Sequence, residues 1–175
     1  MKNKSALHIV SVLIFFAAAV SCSNQEKGNK ADKFDSETSD ELEEKIKLDT
    51  IQLVKLSDET KKAIEDWNKY IALNSEIERF ENYTVLDVIN NAGTIGNVVD
   101  SLNFTVPKVF DTKAVKARIV TIQTHTMLLD ENSKRVEPNP TEIKDLSAKI
   151  KLDFNNLNIQ LNEVFIIEDN SFQID

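Results

Sequence analysis

The sequence predicts an all-α fold: an antiparallel four-helix bundle, with room for an extra helix on its N-terminal side, behind a signal peptide and a flexible tether. Three observations predict it. Apolar residues recur at spacings of three, four and seven in four long stretches. The three prolines fall in connections or at a helix start, and the three glycines are too few for the turns of a β-fold. The 175 residues, 41% of them hydrophobic, suit a single domain with one core. No repeat of solenoid length is evident.

The first 22 residues read as an address. Lys2 and Lys4 open the chain, Ile9 to Val20 is apolar apart from Ser11, and Ala19, Val20 and Ser21 lead to Cys22. Such a run rises only about 18 Å as a helix, short of a hydrocarbon core of roughly 30 Å, so a cleaved export signal fits better than a permanent span. Ala19-Val20-Ser21-Cys22 resembles the lipobox of bacterial lipoproteins, with Ala at the first position, where Leu is commonest. The resemblance implies cleavage between Ser21 and Cys22, by a type II signal peptidase. It also implies lipid on the Cys22 sulfur and an acyl group on the new amino terminus. It gives a membrane anchor, and Ser23 after the Cys leans towards the outer membrane. No other cofactor is expected.

Removing residues 1–21 leaves 154 residues and, with Lys2 and Lys4 gone, shifts the net charge from −8 to −10. A chain with 29 acidic and 21 basic residues makes a poor nucleic-acid binder, because neutralising phosphates takes clustered Lys and Arg. Ser23 to Asp40 holds only Ala31 and Phe34 as apolar residues, so it reads, with Cys22, as a flexible acidic tether spanning residues 22–40. The helical domain then occupies residues 41–175.

Glu41 to Leu56 carries both a helical face (Leu42, Ile46, Leu53, Leu56) and strand-like alternation, with helix favoured because turn residues are absent. Ser57 is a good N-cap, with Asp58 and Glu59 suiting the positive end of a helix dipole. One stripe follows in Ala63, Trp67, Tyr70, Ile77 and Phe80, and a second in Val85, Ile89, Ala92, Ile95, Val99 and Leu102. Asp111 is expected to cap a third helix whose inward face is Val115, Ile119, Ile122, Thr126 and Leu129, ahead of a polar loop over 131–139. The last helix has Asn139 at its cap, Pro140 at its first position and Glu142 three residues after the cap. Its seam runs Ile143, Leu146, Ile150, Phe154, Leu157, Leu161 and Val164, and is expected to fray into an extended piece at Ile166 and Ile167.

Few side chains suit catalysis. His8 falls in the leader, which leaves His125 as the single imidazole, and the single Cys is the lipidated one. Neither a nucleophile–His system nor a zinc site has its usual residues, and no metal ligands are assigned. His125 reads as a partly exposed helical histidine. Glu65, Asp66, Glu76, Glu78 and Glu81 alternate with Lys and Arg as on a solvated face, although a pair across a cleft would suit a hydrolase of envelope polymers. Trp67, Tyr70 and Tyr83 are the candidate binding surface, against the commoner reading of helical aromatics as core. Gly93 and Gly96 in mid-helix each cost up to about 1 kcal/mol against Ala. Tight packing on a neighbouring helix would explain them, and so would the close approach of a partner. The expected role is a lipid-anchored envelope protein that works by binding, as a non-catalytic accessory, inhibitor or structural component, with an envelope protein as partner. A carboxylate-dependent hydrolase and a small-ligand carrier between the helices are the alternatives.

Overall fold

The computed structural model describes residues 39–171, with side-chain environments to residue 166. The leader, Cys22 and the tether up to residue 38 lie outside the described residues. So does the C-terminal tail from 172. Among the described residues the fold is all-helical. The named helices are α1 (Asp58–Ile64), α2 (Asn68–Arg79), α3 (Val85–Leu102), α4 (Lys113–Ser133) and α5 (Pro140–Ser171). Short 3-10 turns cover Phe80–Asn82 and Lys108–Phe110. Residues 39–42 add one helical turn, so the last two tether positions are already ordered.

Local chemistry sets the helix starts. The Ser57 hydroxyl accepts from the Thr60 N–H at 3.1 Å, and Asn139 accepts from the Glu142 N–H at 3.1 Å, as expected of both caps. Thr84 and Asp87 cap each other reciprocally at the head of α3. The cap of α4 is Thr112, one residue beyond the expected Asp111. Its hydroxyl takes the Val115 N–H at 3.2 Å, and Asp111 instead pairs with Lys116.

Cross-helix pairs fix direction. Asp100 meets Gln123 while Gly93 faces Asp130, so α3 and α4 run antiparallel. His125 meets Asp153 and Arg135 meets Glu142, so α4 and α5 do too. The α5 seam from Ile143 to Val164 is buried throughout, as are the inward residues expected on α4. Helix α5 runs unbroken to Ser171 and does not become extended at Ile166.

Two further expectations need correction. The stripe from Ala63 to Phe80 is not carried by one helix. It breaks at Glu65–Trp67, where Trp67 turns into the core and stacks on Tyr70 (5.5 Å) and Phe110 (6.0 Å). Nor is 41–56 a helix. After the turn at 39–42 the chain runs extended as a strap, with Ile46 and Leu48 buried and Lys47 exposed between them. A single isolated antiparallel bridge, Lys45 to Thr84, is its one piece of β-pairing among the described residues. Side chains of α5 satisfy its main chain instead. Lys151 Nζ donates to Leu48 O (2.9 Å), Val54 N–H to Asn155 Oδ1 (2.7 Å), Asn162 Nδ2 to Lys55 O (3.0 Å), and Ser57 N–H to Asn162 Oδ1 (2.9 Å). Of these groups the Leu48 carbonyl is buried and needs a partner, and here a helix side chain supplies it without a sheet.

Candidate functional site

Trp67 and Tyr70 are only 2% and 3% exposed, so neither presents a broad aromatic surface, although Tyr70 is one of the residues around a hollow beside residues 53–56. They belong to an aromatic run through the core. Tyr70 also stacks on Phe154 at 5.4 Å, and Phe110 meets Phe165 edge-on at 5.8 Å. Trp67 Nε1 donates to Thr105 Oγ1 (3.1 Å) and Tyr70 Oη to Asn158 Oδ1 (2.7 Å), which satisfies both polar tips. Burial pushes the Tyr70 phenol above the ordinary tyrosine range. Tyr83 is half-buried, tilted against Phe80, and its hydroxyl donates to Glu76 Oε2 at 3.4 Å. Partial burial, followed by the Glu76 carboxylate, raises its pKa. Cys22 and Ser21 lie outside the described residues.

The carboxylates of α2 and of the 3-10 turn after it are engaged, Glu76 and Glu78 within α2 and Glu81 across to α5. Glu76 is buried and bound by Arg79 at 2.7 Å, Glu78 takes Asn74 at 2.7 Å, and Glu81 takes Lys151 at 3.0 Å. His125 Nδ1 lies 2.5 Å from Asp153 Oδ2, which ties α4 to α5 at a part-buried position. No group of three or more His, Cys, Asp or Glu able to hold a metal occurs among the described residues. No described helix is long and apolar enough to cross a membrane.

A groove with a volume of about 410 Å³ lies between α3 and α4. Gly93, Gly96, Asn97 and Asp100 form its α3 side, and residues from Val120 to Lys134 its α4 side. Gln123 bridges to Asp100 at 2.8 Å, and Lys134 pairs with Asp130 Oδ2 at 2.5 Å. The second Asp130 oxygen, Oδ1, is buried and receives no hydrogen bond within the chain. It faces α3: a Cβ added at Gly93 would sit 3.6 Å from it, whereas one added at Gly96 would meet nothing within 4 Å.

Packing within the chain therefore does not explain Gly96. The rim carries two exposed apolar side chains, Val120 (50%) and Met127 (63%), seven residues apart on one face of α4. The groove can thus offer close main-chain approach, apolar contact and carboxylate acceptors together. Gly93 and Gly96 were legible in the sequence as a mid-helix anomaly. Asp130 was not, because its relation to Gly93 spans 37 residues of chain. A larger hollow of about 620 Å³ lies along the strap, but its Glu81 carboxylate is already held by Lys151.

No known protein family matches the chain, and neither a curated protein nor a solved structure matches it.

Proposed function

We propose that the chain is a lipid-anchored protein of the bacterial cell envelope whose helical domain works by binding a protein partner. The observation that carries the binding role is the α3–α4 groove, where Gly96 leaves helix surface that the chain itself does not cover. A helix interior Gly costs up to about 1 kcal/mol against Ala, and at Gly96 no intramolecular contact offsets that cost. The anchor rests on the Ala19-Val20-Ser21-Cys22 box and the acidic tether behind it. Several acyl chains on one Cys hold a protein durably, at about 0.8 kcal/mol per buried CH₂. In this reading α2 to α5 form an antiparallel four-helix bundle, strapped on one side and open to a partner at the groove.

Detergent-phase partitioning of the full chain, wild type against Cys22→Ser, tests the anchor. The wild type is expected in the detergent phase and the variant in the aqueous phase. Equal partitioning rejects the anchored reading.

A further inference from the structure

Resting on that binding role, we infer that the α3–α4 groove docks an amphipathic helix of a partner protein, and that the docked face carries a Lys or Arg meeting Asp130. The shape suits a helix. The groove lies between two antiparallel helices, and its α3 side, from Gly93 to Asp100, is about 10 Å long. Small residues on a helix let another helix approach closely, and Gly96 presents open space where that approach is needed.

The rim supplies the apolar contact. Val120 and Met127 lie two turns apart on the rim, about 10 Å, a length that an i to i+7 apolar face on a docked helix matches. The charge of the lining selects the partner. Asp100 and Asp130 contribute two carboxylates, against Lys134 as the lining cation, on a chain of net charge −8. Lys134 is 70% exposed and already shared with Asp130 Oδ2, so it competes weakly with a docked cation. Asp130 Oδ1 is buried, so a docked ammonium or guanidinium meets this side chain at Oδ2, sharing it with Lys134, while the exposed Asp100 lines the same groove as a second carboxylate. A second copy of this chain, equally acidic, meets that requirement less well.

Site-specific photo-crosslinking in the native cell tests the proposal on the full, anchored chain. Benzoylphenylalanine replaces Val120 or Met127, with Lys149 on the exposed face of α5 as the control position. Adducts are expected from the two groove positions and not from Lys149. Mass spectrometry of the adduct is expected to find a partner peptide with helical apolar spacing and a Lys or Arg within it. Asp130→Asn is expected to cut adduct yield about tenfold, the change that ~1.4 kcal/mol of lost pairing produces.

Gly96→Leu is expected to abolish the adducts. A Cβ there meets nothing within 4 Å, and a thermal melt checks the fold of this variant, which decides the outcome should Asp130→Asn lower stability. No adduct, self-crosslinking, an acidic partner peptide, or yields unchanged by both variants would each overturn the proposal. Adducts from Lys149 alone would overturn it too, while leaving the broader binding role standing.

Discussion

The ammonium of Lys151, 2% exposed, donates to the main-chain carbonyl of Leu48 at 2.9 Å, so a helix side chain completes the hydrogen bonding of an extended strap. Its other acceptor, Glu81 at 3.0 Å, is 61% exposed. The two bonds therefore differ in weight. Lys151→Met keeps the buried stem but strands the Leu48 carbonyl, an expected loss of about 1–3 kcal/mol. Glu81→Gln retains an acceptor in water and is expected to cost less than about 1 kcal/mol. Urea midpoints of the two variants check the order, and equal losses would show that the exposed carboxylate matters as much as the buried carbonyl.

Asn162 grips the same strap twice, accepting from Ser57 N–H and donating to Lys55 O. Asn155 grips it once, at the exposed Val54. Removing the Asn162 amide is therefore expected to open the strap more than removing Asn155, by about 1–2 kcal/mol, since water replaces the exposed bond more easily. Amide hydrogen exchange measures this directly. In Asn162→Ala the Ser57 amide is expected to exchange about five- to thirtyfold faster, with amides at the centre of α5 unchanged.

How much of this was legible follows from the range of each interaction. The Ser57 and Asn139 caps and the Ile143–Val164 seam are local patterns, and the structure reproduces them. Asp111 and Thr112 are both good caps one residue apart, and pattern alone does not choose between them. The strap escaped because its partners lie about a hundred residues away. One signal was present. Lys151, Asn155, Asn158 and Asn162 fall at i, i+4, i+7 and i+11, a polar stripe beside the α5 seam. Three of the four bond the main chain of the strap, while Asn158 takes the Tyr70 hydroxyl, and such a polar stripe along a core seam is a reason to expect an extended segment over it. Lys151 hid in that stripe because lysine is so rarely buried whole. In the site, sequence singled out the two glycines but not their relation to the Asp130 carboxylate opposite them.

The glycines yield a stability comparison independent of any partner. A methyl at Gly96 enters open space, so Gly96→Ala is expected to stabilise the fold by about 0.5–1 kcal/mol through helix propensity alone. A methyl at Gly93 would lie 3.6 Å from Asp130 Oδ1 and wall in an oxygen that already lacks a donor, so Gly93→Ala is expected to gain less. Thermal unfolding of the two variants measures the difference. Destabilisation by Gly96→Ala would mean that this glycine has a packing role inside the chain.

Acid sensitivity should trace in part to the head of α3. There Asp87 Oδ2 accepts from the Thr84 N–H at 2.9 Å while Thr84 Oγ1 accepts from the Asp87 N–H at 3.1 Å. The Thr84 N–H, followed by its hydroxyl, holds the Asp87 carboxyl below the usual carboxylate range. Because the folded pKa is the depressed one, the ionised group contributes its full stabilisation above the unfolded value of roughly 4, and loses it as pH falls through the lower folded value. Between neutral pH and about 2, the wild-type urea midpoint is therefore expected to fall more steeply at the acid end than that of Asp87→Asn. Glu44 and Asp58 are also lowered, by Lys144 and Lys61, but both are unchanged in the comparison, so their contributions cancel. Parallel acid limbs in the two proteins would mean that the carboxylate adds nothing to the cap beyond what an amide supplies.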